Sequence, residues 1–390
     1  MSEAKYGIVV YGATGYTGRL VCEYLNEKYG VNGEVPWAMA GRSMDKLVRV
    51  RDEMGIGADV PLVVADSDQP SSIDEMVRGA DVLLTTVGPY QLYGSDVVKA
   101  CVEAGTDYVD LCGEPAWMHE MIGAHQDAAK ASGARIVFST GFDSIPFDCG
   151  VYFLQQAAKE KLGGPLPRIK GRVRGMKGTF SGGTMASFKA TVAAARKEPD
   201  LVKLLMNPFA LSSGFMGPAQ PPGHQPIYEE DLESWSAPFV MASINTKNIH
   251  RSNYLLGHEY GQDFVYDEMM LTGPGEKGEQ TAKMVAADKS MAESKLKPGE
   301  GPSKEERDTG FYDVLFVGQS AHGEVLKASV KGDRDPGYGS TSKMIAESAV
   351  CLQKDSKLAS GGLWTPAAAL GTPLIERLTA HAGLTFSLED

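Results

Sequence analysis

Residues 6–18 read Tyr6-Gly7-Ile8-Val9-Val10-Tyr11-Gly12-Ala13-Thr14-Gly15-Tyr16-Thr17-Gly18, and a helix-like stretch over 19–29 follows directly. The apolar run 6–10 predicts a buried strand, so Gly12, Gly15 and Gly18 fall at a strand-to-helix turn. Each has a separate task there. Gly12 permits the tight turn, Gly15 lets the backbone approach a pyrophosphate, and Gly18 allows close helix-to-strand packing, while the free amides of the helix start face the anion. The loop from Gly12 to Gly18, with Ala13, Thr14, Tyr16 and Thr17 between the glycines, is therefore the expected seat of a dinucleotide.

The same alternation continues outward. Strands are predicted at 35–40, 60–65, 81–87, 108–111 and 135–139, with helices at 43–54 and 94–104 between them. Six strands separated by helices predict an α/β fold, an N-terminal Rossmann domain with a doubly wound parallel sheet over residues 1–146. After Gly141-Phe142-Asp143-Ser144-Ile145-Pro146 the rhythm changes to a helix at 148–162, a strand at 168–180 and loops rich in Gly and Pro. A second domain is expected over 147–335, serving substrate or dimerisation, with a charged, exposed insertion at 273–310 around a helix-prone centre at 279–296. A hairpin at 311–318 and 324–331 precedes a helix at 340–353.

Which dinucleotide fits is decided at the end of the second strand, where an acid would bind a ribose 2′-hydroxyl and repel a 2′-phosphate. The residues there are Ala40-Gly41-Arg42-Ser43, without an acid. Arg42 can hold the phosphate through charge-assisted hydrogen bonds and Ser43 can add another, so NADP(H) is expected over NAD(H). Asp66, after the third strand, is placed to meet the adenine amino group, or else it or Asp68 caps the next helix. Val87-Gly88-Pro89-Tyr90 should run beside the nicotinamide half, because small residues there admit backbone contact.

Composition narrows the partners. With 38 basic against 50 acidic residues the net charge is −12, and no Lys/Arg run exists to neutralise nucleic-acid phosphates. Five scattered cysteines and seven scattered histidines lack metal-ligand spacing, so no metal is expected, and the thiols read as reduced. Neither a signal segment nor an apolar stretch of bilayer length is present, which points to a cytoplasmic protein without a transmembrane anchor, peripheral membrane contact remaining open. A homodimer through the second lobe's sheet also remains open.

A reductase needs a positioned hydride donor, a polarised acceptor and often a proton donor. Tyr90 could donate a proton or cover the nicotinamide. Cys112 could border that ring, and Glu114 could act in catalysis or cap the following helix. Asp143 and Ser144, in the loop after the sixth strand, are expected between the lobes, where they could contact substrate or ribose, with Asp143 a catalytic candidate, or could stabilise the turn, and Ser181-Gly182-Gly183-Thr184 opens a helix whose amides could bind a carboxylate or thioester oxygen. Tyr24 and Lys28 have a short-chain-dehydrogenase spacing but lie on the first helix, behind the cofactor loop.

The blocks 12–18 and 40–42, Thr86-Val87-Gly88-Pro89-Tyr90, Tyr108-Val109-Asp110-Leu111-Cys112-Gly113-Glu114, 141–146, 181–184, Asp335-Pro336-Gly337-Tyr338 and 361–366 together resemble the saccharopine dehydrogenase-like oxidoreductases. Within that family the similarity is greatest to the branch containing trans-acting enoyl reductases. The resemblance implies a second α/β domain with a mixed sheet, and a C-terminal helical segment, here 336–390, returning to the Rossmann domain. It also implies NADP(H)-dependent reduction of an acyl carbon–carbon double bond in lipid metabolism. It does not extend to the charged segment 273–310. Two other functions stay open: a saccharopine-type amino-acid or imine dehydrogenase, which would need Arg172, Arg174 and Arg251 to converge on carboxylates, and a non-catalytic NADP(H)-binding, lipid-associated scaffold.

Overall fold

The computed structural model describes residues 5–31, 33–179, 182–293 and 299–390. Strands β1 (Tyr6–Tyr11), β2 (Trp37–Gly41), β3 (Leu62–Val64), β4 (Ala80–Thr85), β5 (Asp107–Val109) and β6 (Arg135–Val137) pair in the order β6-β5-β4-β1-β2-β3, all parallel. Every residue of β1 after Tyr6 is buried. A strand covered on both faces reads as a continuous apolar run, which is why this one was legible.

The second sheet contains β7 (Arg168–Lys177), β8 (Ile227–Glu229), β9 (Ser234–Pro238), β10 (Val265–Gly273), β11 (Phe311–Gln319) and β12 (Val325–Gly332). It is mixed: β7 and β10 run parallel, and the remaining pairs are antiparallel. Two late strands divide between the sheets. β13 (Gly362–Trp364) joins β6 in parallel and makes the first sheet seven-stranded rather than six, whereas β14 (Leu384–Glu389) pairs antiparallel with β12. The C-terminal segment, expected to be helical, thus contributes a strand to the first sheet. It also extends the second sheet.

Helix Ile145–Leu162 carries the chain from one sheet to the other and packs on β11 and β12. Gly150 makes that approach close, since a Cβ there would stand 2.4 Å from the Phe316 ring. Behind β1 and β4 lies helix Thr341–Lys354. Its buried Glu347 accepts hydrogen bonds from Tyr24 Oη (2.6 Å), Tyr29 Oη (2.7 Å) and Arg377 Nη1 (2.9 Å), fastening the first helix to the C-terminal helices. Tyr24 is thereby fixed in a structural role.

The strand predicted at 168–180 ends at Lys177, and Phe180 lies outside the described residues. The charged segment 273–310 differs more from its expectation. Helix Gly275–Ala287 lies along β9 and β10 with Ala282 fully buried, and helix Lys304–Asp308 starts with a reciprocal cap between Ser303 and Glu306. High charge suggested a solvated excursion. The few apolar positions, Gly278 and Ala282 among them, are spaced to dock one helical face, so the segment is in part packed structure.

Buried polar groups line the seam between the lobes. Glu268 accepts Asn245 Nδ2 (2.7 Å) and Tyr266 Oη (2.9 Å), and burial pushes its carboxyl up to about 8. An unfolded glutamate titrates near about 4.3, so the folded chain holds this proton through a window in which the unfolded chain releases it. Stability from Glu268 is present at low pH and is lost as pH rises from about 4 through about 8, by at most about 1.4 kcal/mol per pH unit. Urea unfolding of Glu268→Gln between pH 5 and 9 is expected to show a shallower alkaline decline than the parent. An unchanged slope would mean that Glu268 does not hold that proton.

Candidate active site

The loop after β1 is built so that only hydrogen fits at the α-carbons of Gly12 and Gly18. Gly12 has φ +92°, and a Cβ there would lie 2.7 Å from Thr86 Oγ1 and 2.9 Å from Val87. At Gly18 a Cβ would stand 2.1 Å from the Gly12 carbonyl oxygen. Helix Tyr16–Tyr29 therefore starts directly against the turn, with no side chain capping its first amides. That cradle fits a pyrophosphate. Gly12, Thr14, Gly15, Tyr16 and Thr17 line a cleft of about 900 Å³ running from the carboxyl ends of β1, β2 and β4 into the second lobe. Ala13 is wholly buried, and Ala13 and Gly18 support the loop rather than line the cleft.

Arg42 also lines the cleft, and it is exposed. Ser43 does not: its hydroxyl caps helix Met44–Glu53 by accepting from Lys46 N at 3.3 Å. Lys46, one turn beyond Arg42, lines the cleft in its place and supplies a second cation. Its spacing of four from Arg42 was a readable signal. The adenine role expected of Asp66 is likewise corrected. Its carboxylate accepts the Asp68 amide at 3.1 Å in a tight turn, and Ser67 is the residue that reaches the cleft. Helix Pro70–Arg78 has no side-chain cap from either acid.

Val87, Gly88 and Tyr90 border the cleft beyond Thr86, whereas Pro89 does not. Tyr90 cannot serve as the proton donor proposed from sequence. Its hydroxyl is committed twice, donating to the Thr85 carbonyl (3.2 Å) and accepting from Leu111 N (3.0 Å), and burial pushes it well above the usual tyrosine range. Glu114 is similarly occupied. Its two carboxylate oxygens accept the amides of Tyr90 and Gln91, both at 2.9 Å, so it caps helix Tyr90–Tyr93 and not the helix that follows it in sequence. Cys112 is fully buried away from the cleft, its sulfur accepting from Glu114 N at 3.3 Å. Asp110 binds the amides of Cys112 (3.0 Å) and Ser139 (2.8 Å), joining the ends of β5 and β6. These acids build the loops; Glu114 borders the cleft, but its two carboxylate oxygens are taken up by backbone amides.

Asp143 is different. It lines the cleft, lies over Gly113, where a Cβ would stand 3.1 Å from Oδ2, and receives no hydrogen bond among the described residues. Burial alone pushes its carboxyl up to about 7. Its neighbour Ser144 turns away to donate to Asn245 Oδ1 at 3.0 Å. Among the sequence candidates, Asp143 is thus the acid on the cleft whose carboxylate receives no hydrogen bond among the described residues.

The second lobe closes the cleft with helices Gly182–Ala195 and Pro199–Met206, which contribute Phe188, Val192, Leu205 and Met206. Of the predicted anion-binding turn 181–184, Ser181 lies outside the described residues, and the amide of Gly182 already donates to the Glu300 carbonyl at 3.1 Å. Over the loop's outer side passes segment 299–310. Tyr16 Oη donates to the Pro302 carbonyl and accepts from Arg307 Nη1 (2.9 Å), with the Tyr338 ring edge-on at 5.2 Å. Asp335 holds that tyrosine's turn by accepting the amides of Tyr338 (3.0 Å) and Gly339 (2.7 Å).

The arginines that an amino-acid substrate would require do not converge on the cleft. Arg172 is buried against Glu229 (2.6 Å) and Asp267 (2.7 Å), Arg174 pairs with Asp313 and Glu389, and Arg251 binds the carbonyls of Leu211 and Leu363. No described helix is long and apolar enough to cross a membrane.

Residues 8–137 match the saccharopine dehydrogenase NADP-binding domain. A protein of Mycobacterium tuberculosis that carries the provisional name trans-acting enoyl reductase is 38% identical over 96% of both chains. The trans-acting enoyl reductase of Mycobacterium ulcerans is 34% identical, over 97% of this chain and 96% of its own. Apo saccharopine dehydrogenase (L-Glu forming) from Saccharomyces cerevisiae superposes with a TM-score of 0.54 at 12% identity, covering 99% of this chain and all of that one, a likeness of fold. A glycine turn with no room for a Cβ at Gly12 or Gly18, Arg42 and Lys46 on the cleft after β2, and near-full-length similarity agree: the chain belongs to the saccharopine dehydrogenase-like oxidoreductases, in the group of the trans-acting enoyl reductases.

Proposed function

We propose that the protein is an NADPH-dependent reductase of an acyl double bond conjugated to a thioester carbonyl, with residues 1–146 holding the nucleotide and 147–335 the acyl group. The observation that carries this is the polarity of one continuous cleft: Arg42, Lys46 and the glycine loop at one end, Phe188, Val192, Leu205 and Met206 at the other. A basic end suits phosphates and an apolar end suits a hydrocarbon chain. The names of the relatives favour the same chemistry. The engagement of Arg172, Arg174 and Arg251 elsewhere weighs against an amino-acid substrate.

In this reading the amides at the start of helix Tyr16–Tyr29 hold the pyrophosphate, Arg42 and Lys46 hold the 2′-phosphate, and Val87 and Gly88 border the nicotinamide. NADPH, when bound, supplies a hydride. The protein's own contributions are orientation, exclusion of water by the two apolar helices, and a proton from Asp143 to the α carbon. A series of enoyl thioesters of increasing chain length, assayed beside imine and keto-acid acceptors, tests the substrate class. Turnover is expected with the thioesters, rising with chain length; reduction confined to imine or keto-acid acceptors would refute it.

Cofactor choice gives a second expected result. Arg42→Asp places a carboxylate where the phosphate would lie, and loss of a charge-assisted hydrogen bond corresponds to about 10- to 100-fold in affinity. Calorimetry should show NADPH weakened by about that factor with NADH weakened less. Equal weakening of both would remove Arg42 from the 2′-phosphate site.

A further inference from the structure

Helix Ala242–Leu255 contributes to the wall of the cleft and carries a charge that the proton-transfer scheme leaves unused. Ser243, Ile244 and Lys247 face the cleft, whereas Asn245, Asn248 and Ser252 of the same helix bond to Ser144 and Asp148 behind it. Lys247 is only 4% exposed. Its ammonium donates to the Ser243 carbonyl at 2.9 Å and forms no ion pair among the described residues. Helical side chains lean toward the N-terminus, so Lys247 reaches back along the wall beside Ser243, with two of its three N–H donors uncommitted.

A buried ammonium without a counter-charge is costly, and sites that keep one are candidate ligand sites. Burial lowers its pKa to about 8, and no carboxylate contributes an opposing pull. The surroundings say which ligand could supply the missing charge. Phosphates have their cations in Arg42 and Lys46 at the end of β2, whereas Lys247 is on a different element, one turn after Ile244, and Val240, Met241 and Ile244 line the cleft from the same stretch of chain. The fitting partner is an oxygen attached to an apolar chain.

We propose that Lys247 binds the acyl carbonyl oxygen and neutralises the negative charge that collects there during reduction. This rests on the enoyl-reduction reading. As hydride reaches the β carbon, the double-bond pair becomes the bond between the α and carbonyl carbons, and the carbonyl π pair moves onto oxygen. That oxygen then accepts the Lys247 N–H. The pair returns when the α carbon takes the proton of Asp143, whose carboxylate is reprotonated from water. Stabilisation of this kind, aimed at charge that develops in the transition state, is a large catalytic contribution.

The test uses decanoate as a stable mimic of an oxyanion on an acyl chain and decanol as its neutral counterpart, titrated calorimetrically into NADP⁺-saturated protein. Wild type should bind decanoate about 10- to 100-fold more tightly than decanol. Lys247→Met and Lys247→Gln should abolish that preference with NADP⁺ affinity retained, and Lys247→Arg should keep most of it. With an enoyl thioester, the neutral variants should lose about 100-fold or more in kcat with a smaller change in KM. A decanoate preference that survives in both neutral variants, or is absent from wild type, overturns the proposal. A Lys247-dependent preference in a protein that reduces no enoyl thioester would uphold the anion subsite and refute the enoyl-reduction reading instead.

Discussion

Asp143→Asn is expected to lower turnover by about 100- to 1000-fold while leaving NADPH affinity nearly unchanged, because a positioned general acid contributes on that order. The amide keeps the shape of the side chain and removes its transferable proton. The wild-type pH profile carries the same information. With the carboxyl pushed up to about 7 by burial, the acid form needed for reduction prevails below that value and falls about tenfold per pH unit above it. Asp143→Asn should remove the decline that begins near 7, leaving only the loss of the Lys247 ammonium above about 8. An unaltered limb in a slow variant would assign the proton to another group.

Gly18→Ala is expected to weaken NADPH binding by about 10- to 100-fold and to destabilise the fold, because its Cβ would stand 2.1 Å from a backbone oxygen that cannot swing aside. The turn must open, and the amides that face the pyrophosphate move with it. Gly123→Ala is the control. Gly123 lies within helix Pro115–Ser132 with nothing within 4 Å of a Cβ, so there the same change should stabilise by about 0.5–1 kcal/mol. Fluorescence titration and thermal unfolding of the two variants should therefore move in opposite senses for stability, and only Gly18→Ala should move cofactor affinity. Equal NADPH affinity in both would place the nucleotide elsewhere.

The first lobe was legible because its physics is local. A buried parallel strand shows as an apolar run, and the turn after it shows as glycines at fixed spacing. β13 was not legible, since three residues, Gly362–Trp364, carry no periodicity and become a strand only by pairing with β6. Around the cleft, residue type revealed candidates but not their commitments. Tyr90, Glu114 and Cys112 have chemistry-bearing groups at the right end of the sheet, yet each is engaged with its own loops. Sequence could not separate Glu114 from Asp143, because the difference is whether backbone amides occupy the carboxylate. Lys247 gave no signal, being one of several polar residues on a helix whose amphipathic pattern is blurred by the buried seam.

The most direct test of hydride transfer in this cleft is a single turnover with NADPH deuterated at C4, each face in turn, and an enoyl thioester, followed by mass spectrometry of the acyl product. The expected product is the saturated thioester carrying one deuterium at its β carbon from one of the two labelled forms only. Unreacted NADPH, or a saturated product without the label, would contradict it.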